Sequence, residues 1–335
     1  MTEQLRVAIV GCGGLGRRHA LNLAELDGAD LSAMVDPSAE SRDALARSLR
    51  DRGLAVPRMY DDLTALLADD RPDAVVVTTP NHTHSPVVVA AAQTGVHAFC
   101  EKPMALSVAE CDAMITAAAD AGTLLMIGYV RRYQAVFRGV KSLIDSGAIG
   151  EIHLASATRF GSGPPGGVGA WQMSRDTYGG MFSMYSHELD QLVWNAGPVT
   201  EVGAVLRPGA APGDVEESAL LTLAFGAGAV GSLGCTRIAP SPSYGLSFAG
   251  SEGSVTISDS SGAEGFAWAR RGGEVEQVRP EPCNALADEI ADFVSCVREG
   301  RQPGPDGESG RHVVDIARAA DEAHATGQRI TVGAR

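Results

Sequence analysis

Lysine is almost absent from this chain of 335 residues, whose 27 basic side chains include only two lysines, Lys102 and Lys141. The 41 acidic residues outnumber the basic ones and give a formal net charge of −14. Nucleic acids and anionic membrane surfaces attract clustered cations, so this balance argues against both as partners. We therefore expect a small-molecule partner, and the length predicts two domains of roughly 150 residues each.

Long apolar runs, signal-peptide features and paired cysteines are also missing. No stretch of about 20 apolar residues occurs, so we expect no membrane-spanning helix. Residues 1–4 lead into a predicted strand without the basic and apolar regions of a signal peptide, and we expect a cytoplasmic protein. The six cysteines form no Cys-x-x-Cys pair and no zinc spacing, and His82 and His84 have no suitably spaced acid or cysteine. We therefore predict reduced thiols and no metal site.

A glycine-rich turn follows the first apolar run, Leu5 to Val10, and precedes a helical stretch. Its residues are Gly11, Cys12, Gly13, Gly14, Leu15 and Gly16. A G-x-G-x-x-G turn between a strand and a helix is typical of dinucleotide-binding sites. Gly11 permits the tight turn, Gly13 lets the backbone approach the pyrophosphate, and Gly16 lets the helix pack closely on the strand. We assign this turn to the cofactor, with the phosphates at the N-terminus of the helix.

An acidic residue, Asp36, ends the second predicted strand, Asp30 to Val35, and lies 20 residues after Gly16. A carboxylate at this place accepts hydrogen bonds from the ribose hydroxyls of NAD and repels the 2′-phosphate of NADP. The next residues, Pro37 and Ser38, include no arginine that would offset the repulsion. We therefore predict NAD as the cofactor, with NADP less favoured.

Strands and helices alternate through the first part of the chain, whereas glycine-rich turns separate successive strands in the second. The alternation predicts an α/β domain over residues 1–125, with a Rossmann doubly wound parallel sheet and its ligand at the carboxyl ends of the strands. The second pattern predicts an α+β domain over residues 126–335, with a large, mostly antiparallel open sheet and helices on one side. Two closing helices are predicted, Ala285 to Arg298 and Gly310 to Thr326, and the last is a candidate to pack back on the first domain.

Four polar clusters occupy positions where strands are predicted to end. They are Thr79-Pro80-Asn81-His82-Thr83-His84, Glu101-Lys102-Pro103, Arg131-Arg132-Tyr133 and the segment from Ser183 to Asp190. The chain resembles the Gfo/Idh/MocA oxidoreductases, relatives of glucose-fructose oxidoreductase and inositol dehydrogenase. Three motifs carry the resemblance: the Thr-Pro-Asn-x-x-His run, the Glu-Lys-Pro tripeptide and His187-x-x-Asp190. It covers essentially the whole chain. The resemblance implies a nicotinamide-binding first domain, a substrate-binding second domain that often forms oligomers, and sugar or cyclitol substrates. We therefore expect a homodimer or homotetramer, and we add these cofactor residues to the glycine turn and Asp36: Thr79, Pro80, Asn81, His84, Glu101 and Lys102.

The resemblance also implies catalytic roles for two residues. Lys102 corresponds to the lysine that contacts the reacting hydroxyl, and Pro103 follows it in what is usually a cis peptide. His187 corresponds to the general base or acid. The family often has an aspartate four residues earlier, where this chain has Ser183, so a Lys–Asp–His relay cannot be carried over intact. Ser183 and Asp190 are assigned to the substrate, with orientation of the imidazole as the other role open to Asp190.

The chemistry of the residues supports the same two roles. Oxidation of a secondary alcohol removes a proton while hydride leaves, and an imidazole that titrates near neutrality is a suitable base. A lysine at a strand end is usually a solvated surface charge, but a chain with 2 lysines among 27 cations places Lys102 beside a proline at a carboxyl edge. Its compact ammonium differs chemically from a guanidinium and would stabilise a developing alkoxide. We interpret Lys102 as catalytic and Lys141 as a charge on an exposed helix.

Three further side chains are assigned to the substrate with a structural alternative for each. Arg131 and Tyr133 follow a predicted buried strand, and they either contact the ligand or belong to ordinary salt bridges. Trp171 follows a loop rich in proline and glycine at 161–169. It forms either a wall against the apolar face of a sugar or a packing contact at the sheet edge.

These assignments lead to three functional hypotheses. The leading one is an NAD-dependent dehydrogenase that oxidises a secondary hydroxyl of a sugar, cyclitol, glycoside or aminoglycoside to a ketone. The alternatives are a glycosidase or lyase that uses NAD for transient oxidation, and an NAD-bound sugar sensor without turnover. Net formation of NADH distinguishes the first hypothesis from the other two.

Overall fold

The computed structural model describes residues 4–161, 170–209 and 214–333, which divide into two units. The first unit comprises residues 1–130 and 284–311, and the second comprises 131–283 and 312–335. Each unit contains one sheet. The predicted loop at 161–169 lies outside the described residues except for Gly161.

The sheet of the first unit is parallel throughout its described part. Its strands are β1 (Leu5–Val10), β2 (Ala29–Val35), β3 (Arg58–Tyr60), β4 (Ala74–Val77), β5 (His97–Glu101) and β6 (Leu125–Gly128). They lie in the order β3-β2-β1-β4-β5-β6. The order reverses direction between β1 and β4, and ligands of doubly wound sheets bind beyond the carboxyl ends of strands at this switch point. The predicted Rossmann sheet is therefore confirmed.

Helices separate the strands of this sheet. They are α1 (Gly14–Ala24), α2 (Ala39–Asp51), α3 (Leu63–Asp69), α4 (His84–Gln93) and α5 (Val108–Ala121). Every residue of β4 is fully buried, as expected for a strand covered on both faces. At the start of α5, Ser107 Oγ accepts a hydrogen bond from Glu110 N–H and Glu110 Oε2 accepts one from Ser107 N–H, which is the capping box that this sequence pattern predicts.

The second unit is built on a larger sheet. Its described strands are β7 (Ile152–Phe160), β8 (Val199–Arg207), β9 (Ser218–Phe225), β10 (Val230–Thr236), β11 (Ser243–Gly250), β12 (Gly253–Ile257), β13 (Phe266–Arg270), β14 (Glu276–Val278) and β15 (Ile330–Thr331). The order is β14-β13-β12-β11-β7-β10-β9-β8-β15. The pair formed by β7 and β10 is parallel, and the other described pairs are antiparallel. The predicted large, mostly antiparallel open sheet is confirmed.

The remaining helices follow the same chain order. They are α6 (Ala135–Asp145), α7 (Arg175–Tyr178), α8 (Met181–Met184), α9 (Ser186–Ala196), α10 (Ala285–Glu299) and α11 (Gly307–Thr326). In the second unit α9 packs on β7, and one face of the sheet is buried. Among the helices within the described ranges, none is both long and apolar enough to cross a membrane.

Helix α10 belongs to the first unit although it follows the large sheet in the chain. It packs against α1, and Phe293 on α10 meets Phe99 of β5 edge to face with ring centroids 5.8 Å apart. From the sequence we placed this helix in the domain spanning 126–335. Its amphipathic pattern predicts that it docks on a core, but the pattern contains no information about which core.

Candidate functional site

The N-terminus of α1 lies unusually close to the ends of β1 and β4. Gly11 has a φ of 102°, and a Cβ there would lie 2.8 Å from the carbonyl carbon of Thr78. A Cβ on Gly16 would lie 1.9 Å from the carbonyl oxygen of Gly11. Thr78 Oγ1 also donates a hydrogen bond to that oxygen at 2.7 Å. Both glycines are therefore required by packing, independently of any ligand.

The other two glycines of the turn border open space. Gly13 and Gly14 are exposed, and a Cβ on either would have no atom within 4 Å among the described residues. Gly13 is the N-cap of α1, whose first turn has no acidic residue and no side-chain cap hydrogen bond. Uncapped N–H groups at a helix N-terminus attract anions, so the turn fits a pyrophosphate.

Asp36 is held in place by two backbone N–H groups. Cys12 N–H donates to Asp36 Oδ2 and Ser38 N–H donates to Asp36 Oδ1, each at 2.8 Å. Each carboxylate oxygen retains a second lone pair that can accept a ribose hydroxyl. Sequence reasoning missed Arg42, which donates to the carbonyl oxygen of Asp36 and pairs with Asp61 at 2.6 Å. Arg42 could have been found from the sequence, because it lies in the first turn of the helix that follows Asp36.

The segment after β4 offers a polar atom and a buried histidine. Thr79 Oγ1 is buried and has no hydrogen-bond partner among the described residues, whereas Pro80 and Asn81 lead into a short 3-10 turn. His84 is buried, with Nδ1 2.8 Å from the carbonyl oxygen of Pro103 and Nε2 2.9 Å from that of Thr79. Burial lowers the pKa of His84. This histidine therefore joins the segment after β4 to the turn that contains Lys102.

Lys102 directly follows β5 and is half-buried. The Lys102–Pro103 peptide is cis, as the family resemblance implies. The preceding residue, Glu101, is buried, and its carboxylate accepts the Lys102 backbone N–H at 3.1 Å and lies 2.9 Å from His19 Nε2. Because β5 is two strands from β1 in the sheet, this turn lies roughly 10 Å from the strand that precedes the glycine turn.

In the second unit, His187 lies in the first turn of α9 and is half-buried. Ser183 lies on α8, just before it, and is buried. The carbonyl oxygen of Ser183 accepts a hydrogen bond from Ser186 Oγ at 3.2 Å, which ties α8 to the start of α9. No carboxylate stands at position 183, as the sequence indicates.

Asp190 is fully buried one turn along α9, where its carboxylate meets the guanidinium of Arg132. Arg132 Nη2 lies 2.6 Å from Asp190 Oδ1, and Arg132 Nε lies 3.1 and 3.2 Å from the two oxygens. Burial raises the pKa of Asp190, and the adjacent Arg132 opposes that effect. Its assignment to the substrate stays a prediction, although the structure gives its carboxylate a protein partner.

A second buried network surrounds Arg131. Arg131 Nη2 lies 2.9 Å from Glu188 Oε1, and Arg131 Nη1 donates to Tyr244 Oη at 2.8 Å. The same Glu188 oxygen is 3.9 Å from Arg159 Nη1. Sequence reasoning missed both Glu188 and Arg159, because a glutamate near a helix N-terminus and an arginine in a strand carry no distinctive local signal.

Two aromatic candidates are half-buried in the same unit. Tyr133 lies in a 3-10 turn, and its carbonyl oxygen is 3.3 Å from Cys283 Sγ. Trp171 meets Tyr178 edge to face with ring centroids 5.6 Å apart. Both residues are only partly buried, and their assignment to the substrate stays a prediction.

A cleft of about 460 Å³ opens at the ends of β7 and β11 in the second unit. Its lining is largely polar and includes Arg159, Ser243, Tyr244, Asp259 and Ser260. Hydrogen bonds from Ser261 hold the pKa of Asp259 below its usual value, so this carboxylate is ionised near neutral pH. Through Arg159 the cleft adjoins Glu188, the residue after His187.

Comparisons with known proteins identify the family. Residues 5–129 match the oxidoreductase family with an NAD-binding Rossmann fold, and residues 137–256 match the GFO/IDH/MocA C-terminal domain. Inositol 2-dehydrogenase of Streptomyces avermitilis is 30% identical over an alignment that covers 99% of this chain and 95% of that protein. The chain belongs to the Gfo/Idh/MocA family. The resemblance inferred from the sequence is thereby confirmed.

Two further Gfo/Idh/MocA relatives span nearly the whole chain. Myo-inositol 2-dehydrogenase of Thermotoga maritima is 29% identical and aligns over 94% of this chain and 95% of its own. The crystal structure of GenD2 from gentamicin A biosynthesis in complex with NAD has 27% identity and a TM-score of 0.85, covering 100% of this chain and 98% of that chain. The protein is an NAD-dependent oxidoreductase of this family that acts on CH–OH groups, as the sequence predicts.

The four glycines of the turn allow packing to be separated from cofactor binding. We expect Gly16→Ala to destabilise the first unit by about 1–3 kcal/mol or more, because its Cβ would overlap the carbonyl oxygen of Gly11. Gly13→Ala should leave stability nearly unchanged but weaken NAD binding about tenfold, since its Cβ enters the space beside the pyrophosphate. Thermal melts with and without NAD, and calorimetric NAD titration, measure the two effects. Wild-type NAD affinity in Gly13→Ala would contradict the assignment.

Proposed function

We propose that this oxidoreductase oxidises a secondary hydroxyl of a sugar, cyclitol or aminoglycoside to the ketone. The observation that carries the proposal is the position of Lys102 at the carboxyl end of β5, on the same sheet edge as the glycine turn and Asp36. A lysine in a chain otherwise rich in arginine thus lies at the sheet edge where ligands of doubly wound sheets bind, which supports a role for it beside the nicotinamide.

In the proposed reaction the hydroxyl loses its proton and the adjacent C–H bond loses a hydride. NAD, when bound, accepts the hydride on its nicotinamide ring. The Lys102 ammonium lowers the energy of the developing alkoxide, and His187 takes the hydroxyl proton. Ser183 replaces a carboxylate of the family pattern, so it supplies a hydroxyl rather than a charge to this group.

The contacts in the second unit divide the other proposed substrate residues into two groups. Tyr133 and Trp171 are half-buried and retain surface for direct contact with a sugar. Arg131 and Asp190 are buried in ion pairs, so we assign them an indirect part. By fixing α9 and the turn at 130–133, they set the position of His187.

Three observations support a polyhydroxylated substrate class. The cleft at Arg159 is lined by hydroxyls and charged groups, which suit a sugar or cyclitol. The relatives from Thermotoga maritima and Streptomyces avermitilis are named inositol dehydrogenases, and GenD2 is a protein of gentamicin A biosynthesis. The ionised Asp259 and the net charge of −14 favour an amino group on the substrate.

We also propose that the protein forms a homo-oligomer through the exposed face of the large sheet. Val205 and Leu220 pair across β8 and β9 on this face and are 69% and 55% exposed. Val230 and Leu154 pair across β10 and β7 on the same face and are also exposed. Serines, threonines and glycines fill the rows between them, so a second copy of the sheet can approach to about 10 Å.

A substrate panel tests the reaction. The purified protein should produce NADH with NAD and at least one inositol, sugar or aminoglycoside, and should do so more efficiently than with NADP. Absorbance at 340 nm follows NADH, and mass spectrometry follows loss of two hydrogens from the substrate. Substrate conversion without net NADH would indicate transient oxidation instead, and tight NAD binding without any conversion across the panel would indicate a sensor.

The two lysines provide a matched pair for the role of Lys102. Lys102→Ala should lower kcat/KM by about 10²- to 10³-fold, because it removes the cation beside the developing alkoxide. Lys141→Ala is the control, since Lys141 pairs with Asp145 on α6. Steady-state kinetics on the best panel substrate measure both. Near-wild-type turnover of Lys102→Ala would eliminate the proposed role.

A single charge on the exposed face tests the oligomer. Leu220→Asp should convert the oligomer to a monomer, because an aspartate would lose its hydration in a packed sheet face. Val275→Asp is the control, as Val275 is 67% exposed and precedes β14, at the opposite end of the strand order from β8 and β9. Light scattering coupled to size exclusion gives the mass of each variant. A wild-type protein that is already monomeric at micromolar concentration would refute the proposal.

A further inference from the structure

Three titratable side chains of the first unit are buried together outside the residues to which the proposed reaction assigns a step. They are His19 on α1, Glu101 at the end of β5 and Glu289 on α10. One nitrogen or oxygen of each lies within 4.8 Å of the others, and His19 and Glu289 are 0% exposed. The charge state of such a cluster needs a physical explanation, because isolated buried charges are strongly unfavourable.

Glu101 is the centre of this cluster. Its Oε1 lies 2.9 Å from His19 Nε2, and its Oε2 accepts the backbone N–H of Lys102 at 3.1 Å. The absence of a side chain at Gly128 leaves room for this carboxylate, because a Cβ there would lie 3.0 Å from Glu101 Cδ. The Glu101 carboxylate thus connects the helix of the glycine turn to the turn that carries Lys102.

Glu289 has a different environment. Neither of its carboxyl oxygens has a hydrogen-bond partner among the described residues. The charged groups that face it are Glu101, from the end of β5, and Arg18, from α1 beside His19. Burial first, and then the charge of Glu101, raise the pKa of Glu289 well above its usual value, whereas Arg18 opposes the shift. The proximity of two buried carboxyl groups therefore favours a proton on Glu289.

We propose that His19 and Glu289 are positioning residues for Lys102. In this arrangement His19 Nε2 is hydrogen-bonded to Glu101, Glu289 carries a proton, and the Glu101 carboxyl group accepts the backbone N–H of Lys102. Ionisation of Glu289 would place a second negative charge beside Glu101 and disturb this arrangement. The kinetic part of this inference rests on the proposed function, whereas the proton on Glu289 does not.

The same three side chains also have the types that bind a metal ion. A direct hydrogen bond between His19 Nε2 and Glu101 Oε1 already uses one hydrogen-bonding site of each group. A neutral carboxyl group without partners costs less to bury than an unpartnered carboxylate, so Glu289 needs no ion to offset its charge. We therefore treat a bound metal as the outcome that overturns the inference.

A first experiment measures stability and compares the wild type with Glu289→Gln, a neutral isostere of the protonated side chain. A carboxyl whose folded pKa is raised stabilises the fold most below its unfolded pKa and loses that contribution as pH rises. The unfolding constant of the wild type relative to Glu289→Gln should therefore grow by about tenfold per pH unit from pH 5 upward, until Glu289 ionises in the folded state. Denaturant unfolding at pH 5, 6, 7 and 8 measures this ratio. Glu299→Gln, at the exposed end of the same helix, is the control.

A second experiment uses enzyme kinetics to test whether His19 and Glu289 position Lys102. Glu289→Ala and His19→Ala should each lower kcat about tenfold or more and change the NAD dissociation constant by a much smaller factor, because Lys102 is displaced while the glycine turn and Asp36, which hold the pyrophosphate and ribose, are not. His19→Gln, which retains an N–H donor, and Glu289→Gln should recover most of the loss. A merely structural defect would not be rescued by hydrogen-bonding isosteres while NAD affinity stays constant.

Three results would overturn the inference. The first is a Glu289→Gln variant that is less stable than the wild type by a margin independent of pH, which would mean an ionised Glu289 in the fold. The second is stoichiometric metal in the purified protein that is lost in this variant. The third is an NAD affinity that falls in parallel with kcat. If no substrate is oxidised but the stability ratio changes with pH as expected, the proposed function fails and the protonated Glu289 stands.

Discussion

The close contact of α1 with the ends of β1 and β4 is the constraint on which the first unit depends. Gly11 and Gly16 allow it, and Thr78 closes it with a hydrogen bond to the Gly11 carbonyl oxygen. This contact sets the position of the helix N-terminus, where we predict that the pyrophosphate binds. His19 lies three residues after Gly16, on the same side of the helix, so the same contact also directs its ring toward Glu101. One packing constraint thus positions both the cofactor turn and the support of Lys102.

Arginine and lysine have different roles in this chain, and the chemistry of the two side chains explains the difference. Arg131 and Arg132 hold buried carboxylates in the second unit, where a planar guanidinium can donate several hydrogen bonds in fixed directions. A reaction that develops an alkoxide gains more from a compact ammonium whose proton affinity can be tuned. The chain uses arginine for these buried ion pairs and places a lysine after Glu101, as expected from the catalytic role that we propose for Lys102.

Local pattern predicted the parts of the fold that local physics determines. The strand, glycine turn and helix at residues 5–24 depend on backbone freedom and short-range hydrogen bonds. The pattern did not place α10 in the first unit, because an amphipathic helix must dock but its sequence does not specify the core. Glu188 and Glu289 were missed for a related reason. Each resembles an ordinary helical acid until tertiary packing buries it.

The sequence by itself determined the fold class, the family, the preference for NAD and the unusual status of Lys102, since these depend on residue type and spacing. The tertiary structure alone decided which charges meet. It pairs Arg132 with Asp190, which leaves that acid fully buried, and it gathers His19, Glu101 and Glu289 from three elements. Contacts between groups far apart in the chain determine burial, hydrogen-bond partners and the location of protons. The short-range spacing of residues does not predict those contacts.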